Sequence, residues 1–307
     1  MRKWAAFWIL AVIWGSSFLF IRIGVEQLSP FQVVFIRTAI AAVGLNLLLL
    51  TRGKHLPLNR KALVPLIVIA IGNTTIPFAL ITWGEKSITS GLAAMLQSTA
   101  ALFTLIIAHY FFVDERISPQ KVVGLIVGFL GVMVLSSKSI VNGQLDISQL
   151  SGALAVVVAS FFYAIFAIYS RKMIQNRFEP LVVSTGAMTF AAISSGILMV
   201  VAPLLGGQAA TPLNTVSSDV LLAVGLLGFV NTFIAYIIFY WILEELGAGR
   251  TSMVTYVVPA IGLALGAFVL KEEIDWRLLV GAAMIFAGIA IVNLKFFNRI
   301  QFRRTAP

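Results

Sequence analysis

The sequence contains no cysteine and few charged residues, and each shortage excludes a class of protein. Without cysteine there is neither a disulfide framework nor a thiolate metal site. Charged residues make up 11% of the 307 residues, whereas a soluble domain has about 25%. Hydrophobic residues make up 60%, and the mean hydropathy is +0.99. Because a water-soluble fold cannot bury this much apolar surface, the sequence predicts a chain that lies in lipid.

Apolar segments of membrane-spanning length recur along the whole chain. A spanning helix needs about 20 apolar residues. The connections between these segments are short, so no extramembrane domain is expected. The predicted fold class is an all-α integral membrane protein with ten transmembrane helices, at residues 4–24, 31–51, 62–83, 90–112, 120–137, 150–170, 180–203, 217–243, 250–270 and 277–297.

The basic residues predict the orientation of the chain in the membrane. The net charge is +10, but no basic run interleaves with aromatic residues, so nucleic acid is not an expected partner. If the N-terminus is cytoplasmic, lysine and arginine favour the cytoplasmic loops by roughly three to one. The sequence therefore predicts a multi-pass protein of the plasma (inner) membrane with both termini in the cytoplasm.

Marker residues of the first half return in the second half at a constant spacing. A shift of 158 positions places Asn73 on Asn231, Trp83 on Trp241 and Gly91 on Gly249. Such regularity indicates an internal repeat, and we assign the copies to residues 1–140 and 150–297, followed by a basic tail at 298–307. Five helices per copy is an odd number, so the second copy is predicted to be inverted, with the binding site between the halves.

Several motifs of the chain resemble those of a known protein family. They are Trp14-Gly15-Ser16-Ser17-Phe18, Pro30 with Arg37, Gly91-Leu92-Ala93-Ala94 leading to Asp114-Glu115-Arg116, and Gly249 through Pro259 to Glu272-Glu273. In this order they resemble the drug/metabolite transporter superfamily, and within it the EamA-type ten-helix carriers. The resemblance implies transport of small metabolites, often amino acids or related compounds, by alternating access. It also implies a hinge at Pro259, although the matching position in the fourth helix is Ala101 rather than proline.

Polar and aromatic residues within the helices are the candidates for substrate binding. A polar side chain near the bilayer centre is costly unless it has a partner. Asparagines could line a central cavity or join helices, hydroxyl groups could bond their own helix backbone, and aromatic rings could serve only in packing. The candidate residues are Trp14, Ser17, Asn73, Gln97, Tyr163, Asn231, Tyr236 and Tyr256.

The ionisable residues limit the chemistry of the substrate. Arg37 lies inside the second helix, where it could bind a substrate carboxylate, reach the surface or pair with Glu26. Glu85 and Glu244 fall at helix ends, where water is expected to reach them. No aspartate, glutamate or lysine is expected at mid-membrane depth. These features favour a neutral or zwitterionic substrate over a polycationic or polyanionic one.

Three classes of function remain to be compared. A secondary transporter that exports amino acids or related compounds agrees with the repeat and the motifs. A membrane-embedded enzyme would need paired carboxylates, a histidine cluster or a phosphate loop, and a channel would need a filter or charged ring. The sequence supplies none of these, so neither catalytic residues nor a metal or cofactor are predicted. The expected partners are a small-molecule substrate and the lipid bilayer, and the chain could be a monomer or a homodimer.

Overall fold

The computed structural model describes residues 2–112, 117–137, 140–141, 144–173, 177–251 and 253–293. Asp114, Glu115, Arg116 and the tail at 298–307 lie outside these residues. Eight of the described helices are long and apolar enough to cross a membrane, and α9 and α10 are shorter apolar helices. The predicted ten-helix membrane fold is confirmed. The helices are α1 Arg2–Gly24, α2 Pro30–Thr51, α3 Arg60–Gly84, α4 Ser90–Phe111, α5 Pro119–Ser136, α6 Ile147–Met173, α7 Pro180–Val201, α8 Ser218–Leu246, α9 Val254–Val269 and α10 Trp276–Asn293.

Short connections join the helices, and polar caps fix where several of them begin. The hydroxyl of Ser29 accepts a hydrogen bond from the Gln32 amide, and the side chain of Asn59 accepts one from the Ala62 amide. These side chains satisfy amides that have no partner within the helix. Between α5 and α6, strands β1 (Ile140–Val141) and β2 (Gln144–Leu145) form a short antiparallel ribbon. A four-residue helix, Ala248–Thr251, precedes α9.

The third helix of each repeat contains a π-helical turn at the equivalent place. The turns are Ala70–Thr75 in α3 and Phe229–Ile234 in α8, and they contain Asn73 and Asn231. In each turn a threonine hydroxyl donates to a carbonyl five residues earlier, at 3.1 Å in α3 and 2.8 Å in α8. A π turn adds a residue to the helix and is often found at functional sites. The repeat therefore includes a shared local irregularity that the sequence period did not predict.

The fourth helix is interrupted although it lacks the proline of its repeat mate. α4 consists of Ser90–Gln97 and Ala100–Phe111. At the break, the hydroxyls of Ser98 and Thr99 donate to the carbonyls of Met95 and Leu96. Hydroxyl bonds of this kind compete with the helix and bend it. Pro259 is buried inside α9, and its role as a hinge stays a prediction.

The fifth helices of the two repeats, α5 and α10, pack through glycines. A Cβ atom placed on Gly124 would lie 2.7 Å from the carbonyl oxygen of Gly288, and one on Gly131 would lie 2.7 Å from that of Gly281. The later residue of α5, Gly131, meets the earlier residue of α10, Gly281, so these helices run antiparallel. That crossing is the one an inverted repeat predicts for helices that are repeat mates.

The remaining helices form two clusters that each combine both repeats. In the first cluster α1 packs against α8 and α9, and in the second α6 packs against α3 and α4. These two sets correspond under the repeat. α2 lies along α7 between the clusters, and the main apolar core includes Leu10, Leu96, Val156 and Ile242. Each of the two clusters therefore combines helices from both halves of the chain.

Candidate functional site

Arg37 lies at the centre of the candidate site, about two turns after the start of α2. Its side chain is buried, with 8% of its surface exposed. Its Nε donates to the Thr232 hydroxyl at 2.9 Å, and its Cζ lies 3.9 Å from the centroid of the Phe78 ring. Glu26 is exposed on the loop after α1. The alternatives in which Arg37 reaches the surface or pairs with Glu26 are therefore wrong, because Phe78 and Thr232 hold the guanidinium inside the bundle.

The guanidinium of Arg37 keeps donors available for a ligand. Tyr163 and Tyr236, both predicted site residues, are near enough to Arg37 to interact with it electrostatically. The terminal nitrogens Nη1 and Nη2 make no hydrogen bond to the residues that the structure describes. A guanidinium held by ring stacking and one Nε bond presents a planar pair of donors, which matches the geometry of a carboxylate.

A cavity of about 310 Å³ opens at the N-terminal face, which we define as the side of the bundle where α1 begins. Tyr240 lies in its wall, and the rings of Tyr240 and Tyr236 are 6.0 Å apart between centroids. The aromatic pair thus connects the cavity to the surroundings of Arg37. The cavity is lined by ends of α2, α7 and α8, at Leu48, Arg52, Glu179, Pro180, Leu181, Ile237, Tyr240, Trp241 and Glu244.

Asn231 and Ser17 meet at the contact between α8 and α1. The Asn231 amide donates to the Ser16 hydroxyl at 2.8 Å, to the Ser17 hydroxyl at 3.3 Å and to the carbonyl of Ile13. Asn231 is fully buried, and its Oδ1 has no partner among the described residues. In this conformation Asn231 joins two helices. Asn73, its repeat mate, is half-buried in the α3 turn.

The other predicted site residues are distributed over two regions. Trp14 packs against Phe239 with ring centroids 5.4 Å apart, beside the core that Tyr163 also contacts. Gln97 is half-buried at the break in α4, and its carbonyl accepts from the Ser160 hydroxyl at 3.2 Å. Tyr256 lines a second cavity of about 210 Å³ between α4, α9 and α10. The two cavities share no lining residue, so Tyr256 is separate from the group around Arg37.

The opposite face, where α1 ends, is closed by hydrogen bonds between the two halves. The side chain of Gln32 donates to the Thr211 carbonyl at 2.8 Å and accepts from its amide at 2.9 Å. The carboxylate of Glu272 accepts from the amides of Ser90 and Gly91 at 2.8 and 3.0 Å. At the N-terminal face an exposed ion pair joins Lys54 and Glu179 at 2.5 Å, and such pairs contribute little. The structure is therefore tied more firmly at the opposite face.

Glu85 is buried, contrary to the expectation from the sequence. Water was expected to reach both Glu85 and Glu244, and Glu244 is indeed exposed. Glu85 has 0% of its surface exposed, and neither carboxylate oxygen has a partner among the described residues. Burial raises the pKa of Glu85 well above its usual range, and the charge of Glu272 adds to the effect, while Arg22 and Arg37 oppose it. Its position at a helix end gave no signal of burial, because tertiary contacts bury it.

This bundle has the architecture of a multi-pass membrane transporter, with a polar site enclosed by both halves of a repeated chain. The model of the EamA-like transporter family matches residues 3–137 and 150–294, and the chain belongs to this family. The family membership that the motifs suggested is thereby confirmed. It indicates a transporter rather than an enzyme.

Similar proteins have transporter names. An uncharacterized transporter of Archaeoglobus fulgidus is 30% identical, over 96% of this chain and 100% of its own. The uncharacterized inner membrane transporter YedA of Escherichia coli K12 is 28% identical, over 95% of this chain and 90% of its own. A protein of Salmonella typhimurium named "probable amino-acid metabolite efflux pump" is 28% identical, over 97% and 95%. Together with the apolar helices, these similarities identify an integral inner membrane protein.

A solved crystal structure has the same fold. It superposes with a TM-score of 0.65 at 19% identity, over 95% of this chain and 98% of that chain. At this identity the similarity concerns the fold alone.

Proposed function

We propose that the protein is a secondary transporter that exports amino acids or related neutral and zwitterionic metabolites by alternating access. Arg37 is the observation that carries this proposal. Its buried guanidinium is held by Thr232 and Phe78, while its terminal nitrogens remain available to a carboxylate. A charge is retained inside a membrane bundle at a large cost, which is offset when it binds a substrate.

In this proposal the aromatic residues around Arg37 surround the remainder of the substrate. Tyr163 and Tyr236 place their phenol groups near enough to the guanidinium to interact with it electrostatically. Among the residues that the structure describes, no acidic side chain lies beside this site in the middle of the bundle, and Glu85 lies at the opposite face. A substrate with one carboxylate and an apolar or aromatic body would fit these groups better than a phosphate ester.

The direction of loading follows from the orientation we infer from the basic residues. If the N-terminal face is cytoplasmic, the cavity beside Tyr240 opens to the cytoplasm and the opposite face is closed. The substrate would then enter from the cytoplasm and leave when the two helix clusters tilt and open the opposite face. The antiparallel contact of α5 with α10 supports the inverted repeats that such a movement requires.

Uptake into proteoliposomes tests the proposal. Purified protein would be reconstituted and offered a panel of labelled amino acids, with and without a pH gradient. We expect saturable movement of at least one compound, strongly reduced in Arg37→Gln and unchanged in Arg60→Gln, which alters an exposed arginine. If no compound moves under any gradient, or if Arg37→Gln transports like the original protein, the proposal is wrong.

A further inference from the structure

Glu85 lies where the two helix clusters meet at the opposite face. It follows Gly84, whose Cα lies so close to α6 that an added Cβ would be 2.7 Å from the Gly152 carbonyl oxygen. From the other cluster, Arg22 of α1 donates to the main-chain carbonyl of Glu85. The Glu85 side chain is fully buried at this junction of α3, α6 and α1. Moving the clusters apart on this face would expose it to water.

The groups around Glu85 do not satisfy a carboxylate anion in this conformation. Arg22 bonds the main chain of Glu85, and Arg37 bonds Thr232 and stacks on Phe78. Glu272 accepts two amide hydrogen bonds, and its charge disfavours a second negative charge on Glu85. Gly84, next to Glu85, packs on Gly152 and Val156 of α6, which have no titratable group. A buried carboxylate without a donor is more stable when it is neutral.

We propose that Glu85 is a proton-binding site whose occupancy couples closure of the opposite face to the pH on that side. In the closed conformation Glu85 holds a proton between the clusters. When the face opens, water and the nearby Arg22 and Arg37 stabilise the anion, and the proton leaves to the solution on that side. A sodium ion is disfavoured at the same place because two arginines lie near the carboxylate.

The direction of the pH effect follows from the sign of the shift. Burial raises the pKa of Glu85 in the closed conformation, whereas in an open, hydrated conformation it approaches its ordinary value. The stability that protonated Glu85 gives to the closed conformation is therefore fully present below the ordinary pKa of a glutamate. It is lost as the pH rises through the raised pKa, and between the two values the closed-to-open ratio changes about tenfold for each pH unit.

Infrared difference spectroscopy of the reconstituted protein tests the proton site directly. We expect the carbonyl stretching band of a protonated carboxyl group to persist at neutral pH, to be absent in Glu85→Gln and to remain in Glu26→Gln. Glu26 is an exposed acid on the same face and is a matched control. A band unaffected by Glu85→Gln, or one that disappears on adding sodium at constant pH, would overturn the assignment.

Spin labels test the coupling to closure. The chain has no cysteine, so a pair of labels can be placed at Lys86 and Asp219, exposed positions on the two clusters. As the pH is raised from about 5 to about 8, the fraction of molecules with a long distance between the two labels should increase. In Glu85→Gln, which resembles the protonated acid, that change should be lost. A change of equal size in both proteins would refute the coupling.

This inference deepens the proposed transport function and rests on it for its role in the cycle. Neither measurement requires a substrate. If the carboxyl band and the pH-dependent closure are found but no amino acid moves, the proposed cargo is wrong and the proton site stands. If transport occurs without them, the proton site is wrong and the transport function stands.

Discussion

Asn73 and Asn231 occupy equivalent π-helical turns of the two repeats but have different surroundings. Asn231 is buried, and its amide nitrogen lies within hydrogen-bond distance of Ile13, Ser16 and Ser17 in α1. Asn73 is half-buried and makes no side-chain hydrogen bond to the described residues. Equivalent residues in unequal environments are expected when inverted repeats adopt different conformations, so that one face of the bundle is closed while the other is open.

The first prediction concerns the stability that Asn231 contributes. Asn231→Ala removes the bonds between α8 and α1, so we expect the free energy of unfolding to fall by about 1–3 kcal/mol. Asn73→Ala should lower it by much less, since that side chain is partly exposed. Thermal unfolding of the two variants in the same detergent measures the difference. Equal losses would show that the contact with α1 does not stabilise the bundle.

The second prediction concerns transport by variants of Arg37. Arg37→Lys keeps the charge but loses the planar pair of donors, and Arg37→Gln loses both. We expect the apparent affinity for a carboxylate substrate to fall roughly ten- to a hundredfold in Arg37→Gln, with a smaller fall in Arg37→Lys. The concentration dependence of uptake provides the measurement. If esterified and free amino acids were affected alike, Arg37 would not be the carboxylate-binding group.

The third prediction concerns the contact between α5 and α10. A Cβ on Gly288 would lie 2.5 Å from the carbonyl oxygen of Gly124, which cannot move independently of its helix. Gly288→Ala should therefore separate the helices and destabilise the protein by about 1–3 kcal/mol. Gly225→Ala is the matched control, because a Cβ there meets nothing within 4 Å, and its effect should be neutral or slightly favourable.

The fourth prediction concerns the dependence of stability on pH. The raised pKa of Glu85 means that the folded protein is favoured when this group is protonated. Its contribution should be complete below the ordinary pKa of a glutamate and should be lost as the pH rises through the raised value. At alkaline pH, Glu85→Gln should therefore unfold at a higher temperature than the original protein, and at acidic pH the two should converge. A constant difference at all pH values would contradict this linkage.

The helices and the repeat could be predicted from the sequence, whereas most side-chain contacts could not. The ten helices follow from apolar length, and the marker spacing gives equivalent positions such as Asn73 and Asn231, since both depend on local composition. Arg37 could be recognised as a buried-charge candidate, but its stacking on Phe78 and bond to Thr232 join helices distant in sequence. The break in α4 arises from hydroxyls at Ser98 and Thr99 rather than from proline. The burial of Glu85 depends on how α1, α3 and α6 meet, which no periodicity specifies.

Alternating access of one shared site is the central claim, and distances at both faces test it most directly. One pair of spin labels would be placed at Lys86 and Asp219 on the opposite face, and a second at Arg60 and Arg250 on the N-terminal face, all exposed positions. As substrate is added, the account predicts that one distance lengthens while the other shortens in the same population. Two distances that change together, or that stay constant while substrate is transported, would contradict it.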